Sequence, residues 1–306
     1  MRGHLASVLA VSSWLVLAGL LAGCRGMASS PTPSPVPLAS PTAIPLATPA
    51  SAPAVTPAAP AATGTPAAGE LVVSVYFPRG ERLGVVRRAI PRTPQVGAAA
   101  LTELLAGTSA EERAIGFTSE IPPATRLLGL DIQDGVATVD LSGDFGQGGG
   151  SLSMITRVAQ VVFTLTQFPS VQAVQFRLDG QAVEALGGEG VLLDRPLSRD
   201  DFEQVLPAIF VESPAPFEVV TSPIRIWGTA NTFEATFMVR VTDVTGTVLV
   251  EDYVMATSGS GTRGTFDVTL EVQPRQSGPG TLTVYEVSAR DGSPVNVVEL
   301  PVILEK

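Results

Sequence analysis

The sequence predicts an α+β domain followed by an all-β sandwich, the pair carried on a disordered Pro-rich N-terminal tether. Three observations point this way. Residues 70–204 mix strand-period and helix-period apolar runs, residues 207–306 keep only the strand period, and residues 24–69 show no packing pattern. Composition agrees: 30 Gly and 26 Pro in 306 residues are too many for a helical bundle. A chain of this length has room for about two domains, each able to bury its own core.

The first 23 residues read as an export signal. Arg2 supplies a positive start, Leu5 to Leu20 form a short apolar run, and the run ends in Leu21-Ala22-Gly23-Cys24. Leu-Ala-Gly-Cys resembles the bacterial lipobox, in which the peptide bond before the cysteine is cut and the thiol takes a diacylglycerol. The resemblance makes Cys24 the lipidated residue, and the two acyl chains meet the requirement for stable anchoring at the outer face of the cytoplasmic membrane. Between Arg25 and Gly69 there are eleven prolines among Ala, Ser and Thr, and Arg25 is the one charge. Such a segment cannot form a core, and at about 3.1 Å per residue in polyproline form it reaches on the order of 140 Å.

Charge and residue usage exclude several functions. Without Arg2 and Arg25, seventeen cations face twenty-nine acids, a charge of −12. No basic field is available for nucleic acid. His4 and Cys24 are the one imidazole and the one thiol of the chain. Everything after residue 24 therefore lacks His-based triads, cysteine nucleophiles, His/Cys zinc sites and disulfides.

From Glu70 the elements follow in order. Leu71, Val73, Val75 and Phe77 alternate as a strand. Thr93-Pro94 offers an N-cap with proline at the first helical position, and Ala100, Leu101, Leu104 and Leu105 share a helical face up to Gly107. Leu128/Leu130/Ile132 and Ala137/Val139/Leu141 form a hairpin through Asp134-Gly135. Ser151 or Ser153 caps a second helix with Ile155, Val158, Ala159, Val162 and Leu165 inward, ending before Pro169. Val174/Phe176/Leu178 is a further strand, turned by Asp179-Gly180. The order is β-α-β-β-α-β-β, with both helices expected on one face of the sheet.

Val75-Tyr76-Phe77, the helix from Ala99 to Gly107, Gly116-Phe117-Thr118-Ser119-Glu120-Ile121-Pro122, the strand Val136 to Ser142, and Phe176-Arg177-Leu178-Asp179-Gly180 resemble the GerMN domain of bacterial sporulation and germination proteins. The resemblance covers roughly residues 70–204 and implies a non-catalytic envelope domain that works by association.

Pro207, Pro214 and Pro216 mark a joint, after which short alternating runs recur between Thr245-Gly246, Ser277-Gly278 and Asp291-Gly292. About seven short strands in this span argue for a β-sandwich, with no cysteine pair for Trp227 to pack on. Val211-Glu212-Ser213-Pro214, Pro223 through Ala230, Phe233 to Phe237, and Tyr285 to Ser293 resemble the immunoglobulin-like domain of bacterial spore germination. Segments 70–204 and 207–306 are expected to fold independently.

Candidate chemistry is sparse. Asp131, Asp134, Asp140 and Asp144 could pair as acid and base or hold Ca²⁺, although Asp134 fits a turn and Asp140 faces away from the apolar side of its strand. The loop from Gly146 to Ser151 enters a helix N-terminus that could hold an anion, but it lacks the P-loop lysine and reads as a flexible connector. Arg87, Arg88 and Arg92 read as a solvated basic loop. Glu286 needs a structural partner, with Arg290 or Arg225 as candidates. No catalytic, cofactor or metal residue is assigned. The expected function is binding of a protein or peptidoglycan partner in the envelope, in sporulation, germination or envelope assembly. The rivals are a cell-wall glycan-acting enzyme using carboxylates about 5–10 Å apart and a small-ligand binding protein with a deep apolar pocket.

Overall fold

Strands β1 (Glu70–Arg79) and β2 (Arg82–Pro91) form an antiparallel ribbon in the computed structural model, which describes residues 69–187 and 191–306. The export signal, Cys24 and nearly all of the tether lie outside the described residues. Gly80 makes the ribbon turn with φ +65°. Strand β2 is absent from the sequence expectation because both of its faces are buried. Leu83 and Val85 point to one side, Val86 and Ile90 to the other, so strict alternation is lost.

Helix α1 (Val96–Ala106) begins two residues later than Thr93-Pro94 suggests, although the Thr93 hydroxyl does accept the Gln95 N–H, and it stops at Gly107 with φ +80°. A short α2 (Ala110–Ala114) follows, opened by a Ser109/Glu112 capping box. Strands β3 (Leu127–Gln133) and β4 (Val136–Leu141) form the expected hairpin, with Asp134 at φ +50° and Gly135 at +82°. Helix α3 (Ser151–Leu165) then crosses to β5 (Ala173–Leu178), which pairs parallel to β4, and β6 (Gln181–Ala182) completes a four-stranded sheet. A small pair, β7 (Ala185–Leu186) and β8 (Val191–Leu192), and a 3-10 stretch at Arg199–Val205 lead out of the domain.

Both helices touch the ribbon as well as the sheet, so they do not simply coat one sheet face as expected. From Arg157 to Leu165 every residue of α3 is buried. Its polar members have a task there. Gln167 just past the helix exchanges two hydrogen bonds with the backbone of Ser74, at 2.7 and 2.6 Å. Thr164 Oγ1 accepts the Tyr76 N–H at 3.4 Å, and Gln160 Nε2 donates to the Tyr76 carbonyl at 3.3 Å. A stripe at helical spacing thereby satisfies the outer edge of β1, in the place of a third strand.

The second domain holds β9 (Ile209–Ser213), β10 (Val219–Val220), β11 (Ile224–Ala230), β12 (Thr236–Asp243), β13 (Val248–Met255), β14 (Gly264–Leu270), β15 (Gly278–Val287) and β16 (Pro294–Leu304). They build a five-stranded sheet, β10-β16-β15-β12-β13, and a three-stranded sheet, β14-β11-β9. Inward residues of both sheets form one core. At its centre Phe237 and Phe266, from opposite sheets, meet edge-on at 4.9 Å. This ring pair spans the two sheets, a role that a disulfide and tryptophan fill in other sandwiches.

Candidate binding surface at the domain junction

Strand β9 belongs to two cores. Ile209 and Val211 face into the sandwich, whereas Phe210 between them is buried in the core of the α+β domain. Its ring lies 6.2 Å from Tyr76 and 6.0 Å from Phe163. Period-2 alternation places Glu212 on the same side as Phe210. There the carboxylate accepts the Tyr76 hydroxyl at 2.5 Å and Arg199 Nη1 at 2.6 Å, while Arg199 Nη2 donates to the Tyr76 oxygen at 3.1 Å. The Arg199 guanidinium sits 4.7 Å from the centroid of the Phe163 ring. Burial pushes the Tyr76 phenol far above its ordinary range; Arg199 opposes this and Glu212 adds to it. Burial also works against the Arg199 charge, but attraction to Tyr76 and Glu212 outweighs it and holds Arg199 protonated.

A more exposed ring of contacts surrounds this buried knot. Arg79 Nη1 donates to the Glu299 carbonyl at 2.5 Å and Arg82 Nη1 to the Gln204 carbonyl at 2.5 Å. Glu203 accepts Arg263 Nε at 2.7 Å and Asn231 Nδ2 at 2.8 Å. Between these contacts an open cleft of about 800 Å³ runs between β2, β9 and β16. That volume falls within the ~300–1,000 Å³ span of ligand clefts.

Burial disfavours the Glu203 charge, yet hydrogen bonds from Arg263 and Asn231 hold its carboxyl below the ordinary value of 4.5. A depressed carboxylate stabilises the fold fully above its unfolded value, and this contribution disappears as pH falls through the lower folded value. The thermal midpoint should therefore fall as pH drops below about 4.5, with a smaller slope in Glu203→Gln. An unchanged slope in E203Q would remove Glu203 from the junction's pH response.

The residues singled out in the sequence are dispersed. Asp131 is exposed and accepts Gln133 Nε2 at 2.8 Å, and Asp134 forms the hairpin turn. Asp140 accepts the Gly180 N–H at 3.0 Å, and Asp144 accepts the Ser142 hydroxyl at 3.0 Å. Among the described residues, no group of three or more His, Cys, Asp or Glu is placed to hold a metal ion. Arg87 and Arg88 do not form a solvated loop. They lie in β2, where Arg87 Nη2 donates to the Glu212 carbonyl at 2.8 Å and Arg88 pairs with Glu112, while Arg92 is exposed. Glu286 takes neither expected arginine; it accepts the Phe233 N–H at 2.9 Å and the Asn296 side-chain amide. Arg225 pairs with Asp267 instead. The Gly146–Ser151 loop is not a free connector, because the buried Arg157 guanidinium binds its carbonyls.

Sequence reasoning missed the junction because its partners are far apart in the chain; Tyr76 and Glu212 are separated by 136 residues. The available signal was the short apolar run Ile209-Phe210-Val211 standing between Pro207 and Pro214.

Fold and junction define a modular chain, an α+β domain joined to a β-sandwich. Residues 74–184 match the family described as sporulation and spore germination, and residues 208–293 match the immunoglobulin-like domain of bacterial spore germination. The chain thus carries a GerMN-type domain followed by an immunoglobulin-like domain of bacterial spore germination. Among solved structures it is similar to the first GerMN domain of the sporulation protein GerM from Bacillus subtilis, at 26% identity over 43% of this chain and 99% of that one, TM-score 0.36. It is also similar to the tandem GerMN domains of the same protein, at 19% identity over 68% of this chain and 63% of that one, TM-score 0.39. No curated protein matches the sequence significantly. Among the described residues, no helix is long and apolar enough to cross a membrane.

Proposed function

We propose that this chain is an exported lipoprotein, held through a diacylglyceryl group on Cys24 at the outer face of the bacterial cytoplasmic membrane, that binds a partner in the envelope without catalytic turnover. The observation that carries the reading is the fusion of two germination-related domains around an open cleft. Leu21-Ala22-Gly23-Cys24 supports the anchor, and the Pro-rich segment after it supports a head working away from the membrane. The partner is a protein or peptidoglycan, and the setting is sporulation, germination or envelope assembly. The four aspartates weighed as an acid-base set are occupied by turns and local hydrogen bonds, which favours binding over glycan hydrolysis.

Intact-mass measurement of the membrane-extracted chain tests the anchor. The expected product begins at Cys24 and carries the diacylglyceryl mass, and Cys24→Ser leaves uncut precursor. A mature N-terminus elsewhere, or a Cys24 without acyl mass, refutes the reading.

A further inference from the structure

We propose that the junction cleft receives an extended acidic peptide segment of a partner protein, which adds as a strand to the free edge of β16 and places its carboxylates on Arg79 and Arg82. This rests on the reading of the cleft as a binding surface. Four observations converge on it.

The first is an unpaired strand edge. Strand β10 covers β16 only at Ile303 and Leu304, which leaves the stretch from Pro294 to Leu300 without a paired strand on that side. The phase of this edge is set by two bonds: the Phe217 N–H donates to the Pro301 carbonyl, and the Ile303 N–H donates to the Glu218 carbonyl. Odd-numbered residues therefore turn their backbone groups outward. The Glu299 carbonyl does so and already receives Arg79 Nη1 at 2.5 Å. A guanidinium thus occupies the position that a strand's N–H would take. A bulge opposite Tyr285, with Asn296 at φ +51°, ends the regular edge, so pairing begins at Val297.

The second observation is exposure. Val297 is 47% and Val295 40% exposed, apolar β-branched side chains on an edge of the kind that folded proteins normally protect. The third is the opposite wall. Leu83, Leu206 and Phe210 line the cleft across from that edge but are at most 6% exposed, so this wall supplies shape, and an added strand would gain its affinity from main-chain pairing.

The fourth is charge. Arg263 is neutralised by Glu203, but neither Arg79 nor Arg82 has a carboxylate within 4.0 Å among the described residues. Their hydrogen-bond partners are backbone carbonyls, and Glu203, already bonded to Arg263 and Asn231, acts on Arg82 only through its field. Against Glu203 and Glu299 in the same lining, three arginines leave the cleft a small positive excess on a head with a charge of −12, suited to guanidinium–carboxylate recognition. A basic peptide would meet the acidic remainder of the surface, and a neutral one would leave the two arginines unused.

The test uses the full chain in detergent and fluorescein-labelled Glu-Val-Glu-Tyr-Glu-Val-Glu, read by anisotropy. Controls are the same peptide with Lys for every Glu, and two versions of the acidic peptide N-methylated at alternate residues, one for each edge. The acidic peptide should bind saturably and the Lys peptide at least tenfold more weakly. One N-methylated version, but not both, should lose at least tenfold. Arg82→Glu and the exposed Val297→Glu should each weaken binding by at least tenfold, with circular dichroism unchanged in V297E. Equal binding of acidic and Lys peptides, indifference to both methylation patterns, or no binding overturns the proposal. Photocrosslinkers placed at positions 82 and 297 in living cells separate the two readings. A crosslinked envelope partner without acidic-peptide binding would retain the cleft as a binding surface and discard the peptide. Absence of both would discard the two together.

Discussion

Replacing Glu212 by Ala should destabilise the chain by about 3–5 kcal/mol, the range for removing one partner of a buried ion pair. The expected value lies toward the lower end, because the Arg199 side chain keeps 29% of its exposure and can recover some hydration. The loss has two parts. Arg199 remains charged beside the Phe163 ring with no counterion in reach, and the buried Tyr76 hydroxyl loses its acceptor. Tyr76→Phe removes two hydrogen bonds, one donated to Glu212 and one accepted from Arg199, but leaves the Arg199–Glu212 pair, so about 1–3 kcal/mol is expected. The same network bears on the expectation of independent folding. Phe210 and Glu212 belong to a strand of the sandwich but are buried against the α+β domain, so separating the segments at residues 204 and 207 would expose both cores. Chemical denaturation of the full chain, followed by hydrogen exchange in both domains, should therefore give one transition, shifted as a whole by Glu212→Ala. Two transitions, with the variant moving only one, would show that the junction is a contact and not a shared core.

Where structure follows from neighbouring residues, the sequence was legible. Asp134-Gly135 and Asp179-Gly180 adopt the left-handed turns their residue types favour, and Gly107 ends α1 as a glycine with positive φ does. The Ser109/Glu112 capping box was equally readable and signals the α2 helix that the expectation omitted. Burial on two faces hid the rest. Strands β2 and β9 each carry apolar side chains on both sides, which erases the alternation that marks a half-buried strand, and the prolines flanking β9 gave it the composition of a linker. Arginines in β2 looked like a basic surface because a charge in a sequence does not disclose its counterion. The carboxylates of Glu112 and Glu218 and the backbone carbonyl of Glu212 meet Arg88 and Arg87 only once the chain is folded. The candidate cleft shares this cause, since β2, β9 and β16 come from remote parts of the chain.

Arg157 shows the same blindness at a single residue, and its replacement should have the second large effect. It sits in the second turn of α3, nearly inaccessible, and among the described residues forms no ion pair within 4.0 Å. Its Nε donates to the Glu120 carbonyl at 2.9 Å, Nη1 to Phe145 at 2.5 Å and Gln147 at 3.1 Å, and Nη2 to Gly148 at 3.1 Å. Burial lowers its pKa, partly offset by Glu120, yet guanidinium remains charged under any ordinary condition. The planar fork can reach four carbonyls on two segments at once, which a single ammonium cannot. Arg157→Met keeps the apolar stem and orphans all four. Gln147 and Gly148 can turn to water, but the Glu120 and Phe145 carbonyls lie deeper, and at ~1–3 kcal/mol for each unsatisfied buried group the variant should lose about 3 kcal/mol. Arg157→Lys should recover less than half of this. The distinguishing readout is local: hydrogen exchange across residues 145–150 should rise at least tenfold more in Arg157→Met than in Val158→Ala, a core truncation of α3 with no contact to the loop's carbonyls. If the two variants raise exchange in that loop equally, Arg157 contributes only general stability, and the Gly-rich segment is held by something other than its guanidinium.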